Sequence, residues 1–196
     1  GVIRAFAELD CLCPRLHLPL QSGSDRILAA MGRKYTVERY LDVVRRLREA
    51  RPDMQLSTDL IVGFPGETAE DFEQTLAIMD EVGYVSAFSF CYSDRPGAKA
   101  ARLLDKIEPD VAAGRLEILQ SQQNKRSEQI FKNMVGMEYS VLLEGRSPRP
   151  GAAGATWQGR DPYGHIVHVP LPEDGVRPGD LLQVRVVEAK RHSFIG

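Results

Sequence analysis

Residues 57–68 read STDLIVGFPGET, an apolar, strand-like run that carries one carboxylate and then breaks into glycine and proline ahead of a polar helix start. In an extended strand successive side chains alternate between faces, so Asp59 and Ile61 share one face while Leu60 and Val62 pack on the other. A carboxylate on such a face needs a partner. Near the C-terminal end of a parallel strand, where α/β folds bind ligands, Asp59 could accept hydrogen bonds from ribose hydroxyls, with Ile61 against an adenine. Gly63 would let a ligand approach the backbone, and Pro65-Gly66 suits a type II turn in which glycine supplies the positive φ. The same residues also read as a loop-capping aspartate followed by a tight strand-to-helix turn, and their chemistry alone leaves both readings open. A phosphate-binding loop fits poorly, because GFPGET lacks the Gly-Lys-Ser/Thr ending.

The pattern continues on both sides. Leu16 to Gln21 (LHLPLQ) is a short apolar run, and Ser24 caps an amphipathic segment from Asp25 to Met31. Thr36 caps a second helix through Tyr40, Leu41, Val44 and Leu47, which stops before Pro52. Strand-like residues then run from Gln55 to Phe64. Thr68 and Asp71 have capping-box spacing, Phe72, Leu76, Met79 and Val82 give the next helix one apolar face, and Gly83 ends it. Ala87 to Tyr92 reads as another strand, ahead of the turn Asp94-Arg95-Pro96-Gly97. Strands alternating with helices predict an α/β fold with a parallel sheet or part of a barrel. A long charged helix is expected from Glu108 to about Asn133. Beyond it, YSVLLEG, ATWQGRD, GHIVHVPLP and DLLQVRVVEA are short β-like runs divided by Gly and Pro, as in a small all-β barrel. The expected boundaries are 1–134 and 135–196.

The 196 residues are 43% hydrophobic and 27% charged, with a formal charge of −2, and no run approaches the length of a membrane span. No signal-peptide pattern opens the chain and three cysteines make a poor disulfide framework, so a reducing cytoplasm is expected. Gly1, with strand-like and loop-like residues directly after it, reads as the start of a piece of something longer. Cys11, Cys13 and Cys91 do not supply four spaced thiolates, and His17, His165, His168 and His192 show no metal spacing. No Ser/His/Asp grouping stands out. Gln21 and Arg33 are candidates for one pocket with Asp59. Residues 136–196 hold seven Lys/Arg and seven Asp/Glu, which argues against strong nonspecific RNA binding. Arg146 with Arg149, Trp157 with Arg160, and Lys190-Arg191 could still form a cationic, aromatic surface on a five-stranded barrel, or merely a solvated rim.

Three stretches, LHLPLQSGSDRILAAMGRKYT (16–36), STDLIVGFPGET (57–68) and YSDRPGAKAA (92–101), resemble the radical S-adenosylmethionine methylthiotransferases in wording, order and spacing. The resemblance implies the C-terminal part of a radical-SAM partial (β/α) barrel followed by a small all-β TRAM (OB-like) RNA-binding barrel. It implies S-adenosylmethionine and two 4Fe-4S clusters as cofactors of the whole enzyme, and tRNA as partner. The Leu-Pro-Leu-Gln-Ser-Gly and Tyr-Ser-x-Arg-Pro-Gly wording is similar to the branch that methylthiolates C2 of N(6)-dimethylallyladenosine beside the anticodon. The branch acting on threonylcarbamoyladenosine is the harder rival, and a noncatalytic RNA-binding module is the rival of another class. By the same resemblance Gln21, Arg33, Asp59, Ile61 and Gly63 would bind S-adenosylmethionine. The C-x3-C-x2-C triad that ligates the radical-SAM cluster is absent, so this chain alone is expected to be inactive, and its exposed apolar faces to favour self-association.

Overall fold

In the computed structural model, residues 1–147, 157–171 and 175–196 are described. The chain divides into two compact units, residues 1–9 with 16–127 and residues 10–15 with 128–196.

The first unit is a mixed α/β assembly around a three-stranded sheet in the order β1 (Arg15–His17), β2 (Gln55–Val62), β3 (Ser86–Cys91). β2 and β3 are parallel, with Asp59 opposite Phe88 and Ile61 opposite Phe90. Between them runs α4 (Ala69–Val82), and between β1 and β2 run α2 (Asp25–Ala30) and α3 (Val37–Ala50). The expected caps form: Ser24 accepts from Ile27 N, Thr36 from Arg39 N, and Thr68 with Asp71 makes a complete capping box. Gly83 closes α4 in the left-handed conformation. Strict alternation in β2 buries Leu56, Thr58, Leu60 and Val62 and leaves Ser57, Asp59 and Ile61 partly open. The apolar faces of α3 and α4 bury Tyr40, Val44, Leu47, Phe72, Met79 and Val82. Tyr84 Oη donates to Tyr40 Oη at 2.8 Å, and Tyr40 Oη donates to Leu18 O at 2.8 Å, so a buried polar pair ties β1 to the helical layer. The opening residues depart from expectation, for Val2–Glu8 is a helix, α1, rather than strand and loop. Phe6 is its buried residue.

α5 (Pro109–Met134) is the expected long helix. Leu119 and Phe131 are buried, whereas Val111, read as part of the apolar set, is exposed.

The second unit contains a six-stranded sheet in the order β7 (Leu181–Arg185), β4 (Glu138–Arg146), β5 (Trp157–Arg160), β6 (Ile166–Val169), β9 (Ser193–Ile195), β8 (Glu188–Ala189). Pairing is antiparallel except for β6 with β9, which is parallel. The sequence pattern missed β9 because three residues around one buried aromatic, Phe194, carry no readable alternation.

Candidate cofactor-binding face

The helices cover one side of the first sheet and leave the other open. On that open side Asp59 lies beside Phe88 and Ile61 beside Phe90, and the two phenylalanines are 56% and 55% exposed. His17 on β1 completes the patch: its Nδ1 is 3.0 Å from Ser57 Oγ, its Nε2 is 3.3 Å from Asp59 Oδ1, and its ring meets Phe88 edge-on at 5.9 Å. Sequence reasoning found no Ser/His/Asp grouping, yet the fold places Ser57, His17 and Asp59 in one row. The 40-residue separation of His17 from Ser57 hid it, since strand pairing and not local spacing brings the three together.

Gln21 marks the end of this face. Leu18 N donates to Ser57 O, whereas Gln21 N donates to Asp59 O and Gln21 O accepts from Ile61 N, so β1 takes three steps against two of β2. That is a bulge, and it places Gln21 at φ 73°, the one non-glycine residue among those described with positive φ. Gln21 is 7% exposed, and its side-chain amide has no hydrogen-bond partner among the described residues. Such an amide needs a partner, and strain of this kind gathers at ligand sites. Arg33 lies exposed after α2 with its backbone N–H bonded to Leu28 O. No contact joins its side chain to Gln21 or Asp59. Its charge acts on Tyr35, whose hydroxyl donates to Pro19 O and Leu20 O at the same strand end.

The glycine turn after β2 forms as expected in one respect and differs in another. Glu67 N donates to Phe64 O with Gly66 at φ 79°, which is the Pro-Gly type II turn. Gly63, at φ 69°, has a different neighbour from the one expected: a Cβ there would stand 2.6 Å from Ala112 Cβ. The missing side chain makes room for α5, so a ligand would reach residue 63 only through its backbone. Glu67 is buried against Arg115 at 2.7 Å, and burial raises its pKa while the guanidinium opposes the shift.

Asp71 fastens the two helix starts behind the sheet. Its carboxylate accepts from Ser24 Oγ at 2.6 Å, from Thr68 N and Thr68 Oγ1 at 2.7 Å each, and from the Arg26 guanidinium. Burial pushes its pKa upward, but these donors outweigh it and hold the carboxyl well below the usual range. Gly23 is required next to it, because a Cβ there would fall 2.5 Å from Thr75 Cα. The S-G-S-D wording is thus explained by helix packing.

In the second unit the cationic, aromatic surface is only partly assembled. Trp157 points inward and is 6% exposed, which removes it from any stacking platform. Alternation in β5 accounts for this, since Trp157 and Gly159 share the buried face and Arg160 the open one. Arg160 Nε donates to Glu144 Oε1 at 2.9 Å, and Lys190 pairs with Glu188. Arg146 and Arg191 are exposed, and Arg191 has no ion-pair or hydrogen-bond partner among the described residues. Arg149 lies outside the described residues. Cys11, Cys13 and Cys91 are free and exposed, and no group of three His, Cys, Asp or Glu among the described residues could hold a metal ion. The described helices include none long and apolar enough to cross a membrane.

Comparison with known proteins agrees with this layout. Residues 1–79 match the model of the radical SAM superfamily. The chain is 55% identical over 99% of its length to the tRNA-2-methylthio-N(6)-dimethylallyladenosine synthase of Nitratidesulfovibrio vulgaris (strain DP4), and it covers 43% of that protein. It is 48% identical to the synthase of the same name from Lawsonia intracellularis, covering 42% of it. The corresponding protein of Bifidobacterium adolescentis is 45% identical, with 41% covered. The chain therefore spans about two-fifths of the length of these relatives.

Proposed function

Since this chain belongs to the radical S-adenosylmethionine methylthiotransferases, we infer that it forms the cofactor-cradling and RNA-binding part of an enzyme that methylthiolates C2 of N(6)-dimethylallyladenosine in tRNA. The observation that carries this reading is the open end of the first sheet. There the carboxylate of Asp59, the side chain of Ile61 and an unpartnered, nine-tenths buried Gln21 amide meet two exposed phenylalanines. A nucleoside fits that chemistry: ribose hydroxyls donate to Asp59, the adenine packs on Ile61, and polar groups of the amino-acid end pair with Gln21 and Arg33. When bound, S-adenosylmethionine and a 4Fe-4S cluster would supply a deoxyadenosyl radical that removes hydrogen from C2 of the adenine.

The residues present fit the nucleoside but not the cluster, which needs thiolates that the three exposed cysteines do not gather. No step through the cluster is therefore derived for this chain. Its own residues bind and orient. Phe88 and Phe90 exclude water from the ribose once the face is covered, and by themselves they favour self-association of the isolated chain.

The six-stranded unit is read as a TRAM (OB-like) barrel that contacts the tRNA backbone through Arg191 and Arg146, with Arg149, Arg160 and Lys190 in support. Its ion pairs keep the electrostatic contribution small. The test is anaerobic cluster reconstitution of the full polypeptide, incubation with tRNA carrying N(6)-dimethylallyladenosine, and mass spectrometry of the digested nucleosides. A methylthio product is expected from the intact enzyme, and none from this chain alone. Absence of product from the fully reconstituted polypeptide refutes the reading.

A further inference from the structure

We propose that His17 is a positioning residue for Asp59: it orients the carboxylate so that one oxygen is held by the imidazole and the other faces the ribose. The inference rests on the cofactor reading of the open face and deepens it. The geometry leaves one arrangement of protons for the neutral ring. A carboxylate only accepts, so the nitrogen 3.3 Å from Asp59 Oδ1, Nε2, carries the proton. Nδ1, 3.0 Å from Ser57 Oγ, then accepts from the serine hydroxyl. Ser57 and Asp59 are two residues apart on one strand face, and a single imidazole from the neighbouring strand spans both. The edge of Phe88 limits the ring's rotation from the other side.

Nothing in the fold's stability demands this row. His17 and Asp59 side chains are 43% and 33% exposed, and a half-solvated pair of this kind contributes little to folding. What the row does is fix a direction. An aspartate on an open strand rotates freely about χ1 and χ2, and a ligand that needs a bidentate or singly directed acceptor must freeze it at a cost in affinity. With Oδ1 held, Oδ2 has no hydrogen-bond partner among the described residues and remains available. Ser57 sets the ring's tautomer, as partners of functional histidines commonly do. A nucleophilic role for Ser57 is not supported, because His17, Ser57 and Asp59 stand on adjacent strands with no cluster of backbone N–H groups facing the hydroxyl.

The experiment uses the full polypeptide with its clusters reconstituted, and equilibrium dialysis against labelled S-adenosylmethionine as the readout. His17→Ala is expected to weaken binding about tenfold, in line with loss of one charge-assisted contact at a ligand-facing carboxylate. His17→Gln, whose amide NH2 reaches the place of Nε2–H, is expected to restore affinity to within about threefold, while His17→Asn, which reaches only the place of Nδ1, is not. In an Asp59→Ala background His17→Ala is expected to add nothing. Circular dichroism melts of all variants are expected to coincide. The inference is overturned if His17→Ala binds like the parent, if Asn rescues as well as Gln, or if the two losses add. If Asp59→Ala alone leaves affinity unchanged, the cofactor reading of the face fails as well, and the two failures are thereby distinguished.

Discussion

Gly63→Ala tests what the bare position after β2 is for. The backbone there sits at φ 69°, and a Cβ would approach Ala112 Cβ to 2.6 Å and Ala112 Cα to 3.5 Å. Two costs follow. Holding an alanine in the left-handed region costs about 1–2 kcal/mol, and forcing two methyl groups together costs about 1–3 kcal/mol more. The single variant should thus lose on the order of 2–5 kcal/mol, whether or not a ligand is present. The two contributions separate on adding Ala112→Gly, which opens the space without changing φ. Ala112 lies in the first turn of α5, so that change alone should cost less than about 1 kcal/mol. In the double variant only the backbone cost should persist, giving a favourable coupling of about 1–3 kcal/mol. Urea unfolding followed by tryptophan-independent far-UV dichroism, with the four midpoints of the cycle compared, measures it. Strict additivity of the two substitutions would mean that α5 does not fill the space over Gly63, and the ligand-approach reading of that glycine would return.

Three further outcomes are expected. Asp71 is held at a depressed pKa by its donors, so its stabilisation is present above the unfolded carboxyl value near about 4 and is lost as pH falls below it; Asp71→Asn should flatten the acid limb of the stability curve without changing its slope between neutral pH and about 5. Tyr40→Phe should destabilise more than Tyr84→Phe, because Tyr40 both donates to Leu18 O and accepts from Tyr84, and equal unfolding midpoints would contradict the relay. For tRNA binding by the full polypeptide, Arg191→Ala should lower the salt slope by about one unit; Arg160→Ala, whose guanidinium already faces Glu144, should change it less, and a reversed order would overturn the assignment.

Most of the first unit was legible because each local signal agreed with its neighbours. Thr68 and Asp71 supplied a cap, Phe72, Met79 and Val82 a face, and Gly83 a stop, and all three functioned as read. The β2 alternation separated Asp59 from Leu60 correctly for the same reason. What stayed hidden depended on contacts between distant segments. The bulge at Gln21 arises from its pairing with Leu60, and nothing in LHLPLQ announces a left-handed glutamine. Gly63 looked like a ligand glycine because the partner that needs its space, Ala112, lies far along the chain. Trp157 was misplaced for a simpler reason: beside Arg160 in sequence it resembled an RNA-stacking pair, but residues three apart on a strand face opposite ways.

The same distinction bears on how the motif wording is to be weighed. In QSGSD, Gly23 is fixed by Thr75 Cα and Ser24 by Asp71, so much of that stretch answers to helix packing behind the sheet. The residues with no such structural duty are fewer: Gln21, whose amide is unpartnered, and Asp59, whose only close polar neighbour is another partly exposed side chain, His17. A buried amide in a strained backbone and a carboxylate on an open face both cost stability in isolation. The packing residues offset that cost by holding the strand ends rigid, with Tyr35 and Tyr40 bonded to the carbonyls of Leu18, Pro19 and Leu20 just before Gln21. A site built this way should lose affinity, and not only stability, when its scaffold is loosened. The strand ends are the one place where the two layers of wording meet.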